Sequence, residues 1–306
     1  MPPASPIWSA RELARKAVFP LFLVGALAGA WAAIERGVAP AVVVLPVYFL
    51  CMPLVALLER LLPYRREWNH SRRDLAADAT YMASTWGVGA LASPLFTVLA
   101  VAVGGWLSRA GDAGLWPSHW PVLAQVALAA VVAEFFDYWG HRILHESRWL
   151  WRVHSIHHSA LRVYWLNATR THPGEVLIRG LFGAIPLGAL GVGEPVIALW
   201  AVAGRVAGLF QHANIDFALG PLSWVFSVGE LHRWHHSTRP AEANTNYGNS
   251  FIFWDAVFGT RYLPRDREPP ALVGLDGMQA FPTRWTAQLV APFRWRRIQR
   301  ESTRRD

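Results

Sequence analysis

Four stretches of this chain, Ala17 to Ile34, Val38 to Leu58, Thr80 to Leu107 and Trp120 to Trp139, are apolar over membrane length. A hydrocarbon core about 30 Å thick takes roughly 20 helical residues to cross. Backbone in lipid must satisfy its own polar groups, so each stretch is expected to be a transmembrane helix. The third contains Gly87, Gly89 and Pro94, which leave room for a kink. Two shorter apolar runs, Val176 to Val192 and Val196 to Phe210, are separated only by Gly193, Glu194 and Pro195. With Arg179 and Arg205 inside them, they predict a tight hairpin that crosses or dips part-way, both ends returning to one side.

Composition agrees with a membrane protein. Charged residues make up 16% of the chain and hydrophobic residues 53%, where a soluble domain carries about 25% charge. The balance of 29 basic and 21 acidic residues gives +8, nearly all from arginine because Lys16 is the sole lysine. With apolar spans present, that surplus points to an anionic membrane surface, not to nucleic acid. A lone Cys51 excludes an intramolecular disulfide, a cysteine-based zinc site and an iron–sulfur cluster. The 12 histidines are therefore the metal-binding resource. The first apolar stretch runs without an Ala-x-Ala-like site into further spans, so no cleaved leader is expected.

Arginine and lysine near span ends set orientation. Arg11, Arg15 and Lys16 precede the first span, and Arg60, Arg65, Arg66, Arg72 and Arg73 follow the second. The opposite loops hold only Arg36 and Arg109. Four crossings return the chain to the cytoplasm at Gly140, where Arg142, Arg148, Arg152, Arg162 and Arg170 follow. The chain is thus expected to be one multi-pass domain over 1–306, with both termini and the histidine clusters cytoplasmic. Its parts are four spans (17–139), a first histidine-rich cap segment (140–174), the apolar hairpin (175–212), a second cap segment (213–262) and a basic cytosolic tail (263–306). The 17 tryptophans suit interfacial belts. Arg294, Arg296, Arg297, Arg300, Arg304 and Arg305 beside Phe293, Trp295 and Ile298 suit anionic headgroups, or a merely solvated tail.

Three clusters carry the chemistry: His141 with His145, His154 with His157 and His158, and His232 with His235 and His236. Positions three and four apart share a helix face, so each cluster projects imidazoles from one stripe. His172, before Pro173, and His212, after Gln211, lie beside the cytoplasmic ends of the hairpin. These ten rings exceed the demand of one four-coordinate zinc, so two metal ions fit the count. Imidazole suits iron, zinc, copper or nickel alike. His70 and His119 are isolated and read as ordinary interfacial residues.

A ferritin-like di-iron site needs Glu-x-x-His pairs, and the clusters have none. Carboxylates and amides that could orient the ligands are Asp137 and Glu134 on the helix leading to His141, together with Glu175, Asn214, Glu230, Asn246 and Asp255. No Gly-x-Ser-x-Gly elbow, P-loop, dinucleotide fingerprint or haem-attachment motif is present, so nothing supports an NAD, flavin or haem cofactor within the chain.

The residues Asp137-Tyr138-Trp139-Gly140-His141-Arg142 with His145, His154 to His158, His172-Pro173 and Gln211-His212-Ala213-Asn214 resemble the fatty acid hydroxylase superfamily of sterol desaturase-like membrane oxidases. The likeness continues through Leu231 to His236, Asn244-Thr245-Asn246-Tyr247-Gly248 and Trp254-Asp255 to Gly259-Thr260, covering roughly Arg60 to Tyr262. Its flavour is nearest the bacterial sterol desaturase-like and alkylglycerol monooxygenase-like branch. The resemblance implies a non-haem di-iron centre, zinc being a possible occupant after purification, in a cytosolic cap above a small helical bundle. It further implies oxygen-dependent hydroxylation or desaturation of a fatty acyl, sterol or ether lipid. Dioxygen and an external reductase or ferredoxin-like electron donor are then required, and the Arg-rich cytoplasmic surface suits an acidic one.

Two other readings compete. Histidine-bound zinc also generates hydroxide near neutral pH, as a lipid hydrolase would use. A metal-handling or transport protein would instead place ligands within the spans, along a path through the bilayer. The clusters lie beyond the span ends, which favours catalysis.

Overall fold

The computed structural model describes residues 9–108, 115–269 and 272–304. Arg109 and Arg305, used above to argue orientation and tail charge, lie outside the described residues. Four helices are long and apolar enough to cross a membrane: α1 (Ala10–Glu35), α2 (Pro40–Leu61), α3 (Leu75–Ser108) and α4 (Val122–Glu146). Helices α1 and α3 extend the expected spans at both ends, whereas α2 and α4 start two residues later than expected and run past the expected end. At the start of α1, Ser9 Oγ accepts from the Glu12 amide at 3.2 Å and Glu12 Oε2 accepts from the Ser9 amide at 2.8 Å, a reciprocal cap that satisfies two otherwise orphaned donors. Pro40 opens α2 at its first turn, where no intrahelical N–H is needed. Helix α3 runs unbroken through Gly87, Gly89 and Pro94. Large apolar side chains face outward from these helices, among them Leu21, Leu91 and Leu123 at 70%, 85% and 81% exposure. Lipid, not protein, is their natural neighbour.

The short helix α5 (Leu150–His158) follows α4 closely and packs on it. The hairpin consists of α6 (Pro173–Ala189) and α7 (Glu194–His212), turned at Gly191 with φ of +77°, a conformation that favours glycine. Both helices lie along the spans: α6 against α3 and α4, α7 against α1, α2 and α4. Close approach of α3 and α6 depends on small residues. A Cβ on Gly180 would fall 2.2 Å from Phe96 Cζ, one on Gly188 2.7 Å from Ala100 Cβ, and one on Gly104 2.8 Å from the Ala189 carbonyl. Helix α7 is the centre of the core, burying Val196, Leu199, Val202, Val206, Leu209 and Phe210.

Beyond the hairpin come short helices α8 (Gly229–His235), α9 (Pro240–Ala243), α10 (Phe253–Val257), α11 (Trp285–Leu289) and α12 (Trp295–Thr303). Polar staples tie these irregular segments to the bundle. Arg162 pairs with Asp74 at 2.6 and 2.8 Å, and Arg170 with Asp78 at 2.5 Å. Glu59, at the end of α2, accepts from the backbone amides of Trp165 and Asn214, both at 2.8 Å. The amides following the second histidine cluster and following His212 are thereby fixed to one carboxylate.

Candidate metal centre

Nine buried histidines converge in two adjoining groups. His141, His145, His154, His158 and His235 form one, and His157, His212, His232 and His236 the other; within each, the candidate ligand atoms lie within 4.8 Å of one another. His141 and His145 stand one turn apart on the last turns of α4. The two HxxHH motifs divide reciprocally. On α5 the i,i+4 pair His154 and His158 enters the first group and His157 the second; on α8 and its cap the pair His232 and His236 enters the second and His235 the first. A residue at i+3 points to the other flank of the same helical stripe, so each motif reaches both groups. His212, the last residue of α7, completes the second. The groups touch: the His158 and His236 rings stack with centroids 4.6 Å apart.

Oxygen acceptors outside the groups fix most of the rings. The Nδ1–H of His141 donates to the Tyr247 carbonyl at 2.7 Å, that of His154 to Glu175 Oε1 at 2.8 Å and that of His235 to the Thr245 carbonyl at 2.8 Å. His145 Nδ1 meets Asn244 Oδ1 at 3.1 Å, His157 Nδ1 the Arg170 carbonyl at 3.3 Å and His212 Nδ1 the Gly208 carbonyl at 3.1 Å. A neutral ring with its proton on Nδ1 carries a bare lone pair on Nε2. Yet His141 Nε2 faces His154 Nε2 at 3.1 Å, and His157 Nε2 faces His212 Nε2 at 3.1 Å. Lone pairs opposed at that distance repel unless a cation lies among them. Buried Nε2 atoms of His145, His158 and His235 likewise have no hydrogen-bond partner. The donor set fits metal ions, and imidazole nitrogens suit iron or zinc.

Burial holds the ring pKa of His154, His157, His158, His232, His235 and His236 well below the ordinary value, and neighbouring imidazoles push in the same direction. The rings therefore stay neutral, the form a metal requires.

The other expected residues divide by contact. Glu175, fully buried at the start of α6, holds His154 directly. Asp255 accepts from the Tyr247 and Gly248 amides at 2.8 and 2.7 Å, setting the strand of backbone whose carbonyl holds His141. Asn246, at φ +54°, bonds the Leu231 and Tyr262 carbonyls and braces the same loop. Glu134 accepts from the Asn249 and Ser250 amides. Asn214 and Glu230 lie elsewhere: Asn214 clamps the backbone of Arg65, and Glu230 accepts from the Leu219 amide at 2.9 Å. Asp137 makes no hydrogen bond to a histidine among the described residues and faces Gly183 of α6.

His172 departs from expectation, standing outside both groups. It is the N-cap of α6: its Nδ1 accepts from the Gly174 amide at 2.9 Å and its Nε2 lies 3.2 Å from the Leu289 carbonyl. The Pro173 that follows suits the first position of a helix, so the His-Pro pair has a capping explanation. His70 and His119 are exposed. Sequence reasoning missed the backbone carbonyls of Arg170, Gly208, Thr245 and Tyr247 and the Asn244 side chain. The only signal for three of them was the Asn244 to Gly248 motif.

A cavity of about 630 Å³ runs from Val44, Tyr48, Trp86 and Ala90 on α2 and α3 to His141, His157, His212 and His232. A second, of about 440 Å³, reaches His145 and His158 from the other flank, past Trp151, Met278 and Trp295.

Residues 126–260, which carry all nine of these histidines, match the fatty acid hydroxylase family model. The chain is 37% identical over 249 residues to ornithine lipid hydroxylase OlsE of Rhizobium tropici, covering 81% of this chain and 74% of the relative. It is 31% identical to methylsterol monooxygenase 2-2 of Arabidopsis thaliana, over 47% of this chain and 54% of that one. It is 28% identical to alkylglycerol monooxygenase of Caenorhabditis elegans, over 51% of this chain and 30% of that one. No solved structure matches it. Similarity to OlsE along most of both chains and a family model spanning both histidine groups make this protein a member of the fatty acid hydroxylase family, an oxidoreductase held in a membrane by apolar helices.

Proposed function

We propose that this chain is an oxygen-dependent lipid hydroxylase or desaturase that works with two iron ions, one in each histidine group. The observation that carries the reading is the cavity joining lipid-facing helices to histidines of both groups. An acyl chain or sterol entering it would pass Val44, Leu45, Trp86 and Ala90 on its way to the imidazoles. Helices α2 and α3 pack on α7 and α6 and share few contacts with each other, so their seam is the natural route from the bilayer. Trp86 closes that seam against Tyr48 and Phe49, at centroid distances of 5.2 and 4.7 Å.

Bound iron would supply dioxygen activation and electron storage. The protein's own part is orientation. Glu175, Asn244 and the carbonyls of Arg170, Thr245, Gly208 and Tyr247 hold the Nδ1–H of His154, His145, His157, His235, His212 and His141, which keeps the opposite nitrogens of these six rings aimed inward and basic. Hydroxylation puts one oxygen atom into the lipid and the other into water, consuming an electron pair from a separate donor. The positive-inside pattern favours a cytoplasmic placement of the histidine groups, where a soluble reductase or ferredoxin-like protein can reach them.

The test is metal analysis of detergent-purified protein together with oxygen uptake in the presence of acyl lipids and a chemical reductant. One iron per histidine group and lipid-stimulated oxygen consumption are expected. Zinc-only protein that forms product without oxygen would overturn the reading in favour of a hydrolase.

A further inference from the structure

Arg205 sits in the middle of α7, an otherwise apolar helix, yet its side chain is open to the cavity. Its recorded neighbour is the Tyr48 ring, 5.7 Å from the guanidinium carbon, and it makes no ion pair or side-chain hydrogen bond among the described residues. Arg179 of α6 lines the same cavity closer to the histidines, within electrostatic reach of Asp137 and Glu175 but without an ion pair to either among the described residues. The described lining thus holds two guanidiniums and no carboxylate.

We infer that Arg205, assisted by Arg179, forms an anion-binding site inside the lipid cavity, and that the substrate is a lipid whose head group carries a carboxylate or a phosphate. The inference rests on the reading of this cavity as the lipid site and narrows it. A charged side chain among membrane helices is costly without a counter-charge, so its presence marks a binding or transport path. A neutral lipid would leave Arg205 uncompensated. An anionic head group supplies the missing charge, and the guanidinium fork matches the paired oxygens of carboxylate and phosphate.

The placement is also suited to a bound substrate. Arg205, Gly208 and His212 share one face of α7, and seven residues of helix put the arginine about 10 Å along the axis from the histidine. Between them a Cβ on Gly208 would meet nothing within 4 Å, which leaves open space where a side chain would otherwise stand. One molecule can therefore contact Arg205 and still reach the imidazoles.

The experiment is direct binding, with no turnover needed, so it is separable from the oxidase reading. Full-length protein in detergent, metal-free and iron-loaded, is titrated by thermophoresis with N-oleoylglycine, its methyl ester and N-acetylglycine. The acid should bind about tenfold or more tighter than the ester, as expected for a charge-assisted contact. Arg205→Gln should abolish that preference without changing ester affinity, and Arg205→Lys should keep part of it. N-acetylglycine, which has the anion without the chain, should bind far more weakly than N-oleoylglycine. Equal wild-type affinity for acid and ester would overturn the inference. So would a preference that survives in Arg205→Gln/Arg179→Gln, or N-acetylglycine binding as tightly as the acyl form, which would indicate a site for soluble anions. Absence of oxygen uptake with intact acid preference would sink the oxidase reading alone.

Discussion

The Nδ1–H of His154 donates to Oε1 of Glu175 at 2.8 Å, with both side chains buried, joining the second histidine cluster to the first turn of the hairpin. A carboxylate behind a ligating imidazole fixes its tautomer and raises its basicity. Glu175→Ala should lower metal affinity by about 10- to 100-fold. Glu175→Gln, which still offers an oxygen to Nδ1–H, should lose less. Metal retained after dialysis against a graded chelator series is the measurement; equal retention in all three proteins would contradict the role.

His235→Ala and His157→Ala each remove a ring from a different group, so both should strip metal and turnover while membrane insertion persists. His172→Ala should behave differently. It removes a helix cap, at a cost of about 1 kcal/mol, and His172→Asn should restore stability because asparagine caps well. Metal content of detergent-purified variants, set beside their melting temperatures, separates the cases. Loss of metal in His172→Asn would return that residue to the ligand set.

Much of this was legible because it is written along one dimension. Four apolar stretches declare themselves by length alone, and HxxHH spacing declares a ligand stripe. How the rings divide between two groups was not legible, since that depends on which flank of α5 faces α8. The depth of the hairpin was equally hidden: α7 is as apolar facing α1, α2 and α4 as it would be facing lipid. His172 misleads because His-Pro reads the same whether the ring binds metal or caps a helix. Asn214, two residues after His212, turns away to clamp Arg65, 149 residues distant.

In metal-free protein the buried rings of His154, His157, His158, His232, His235 and His236 titrate well below 6.5, chiefly through burial. The unfolded chain takes up protons near pH 6.5 and the folded chain does not. Their contribution to stability is therefore complete above that pH and is lost progressively as pH falls below it. Chelated protein should melt at steadily lower temperature between pH 7 and pH 5 (roughly the span around the imidazole pKa). A flat profile would show that these rings are not held neutral.

Gly180 and Phe96 meet where α6 crosses α3. A Cβ at Gly180 would lie 2.2 Å from Phe96 Cζ, so Gly180→Ala should destabilise by about 1–3 kcal/mol through overpacking. Phe96→Ala in the same chain should relieve the clash, making the double variant more stable than the sum of its parts. Gly87→Ala, where a Cβ meets nothing within 4 Å, should be neutral or slightly stabilising. Thermal unfolding in one detergent settles the comparison; additive single and double effects would mean the helices do not touch there.

Gly208 gives the sharpest separation of lipid entry from metal binding. It lines the cavity, and a side chain there would project into open space, while its carbonyl still accepts the His212 Nδ1–H. Gly208→Leu should therefore leave metal content intact and fill part of the 630 Å³ cavity. Lipid-stimulated oxygen uptake should fall, with the loss greatest for bulky sterols and least for single acyl chains. If uptake with every lipid stays at the wild-type level, the substrate does not travel through this cavity, and the route past Trp151 to His145 and His158 becomes the one to examine.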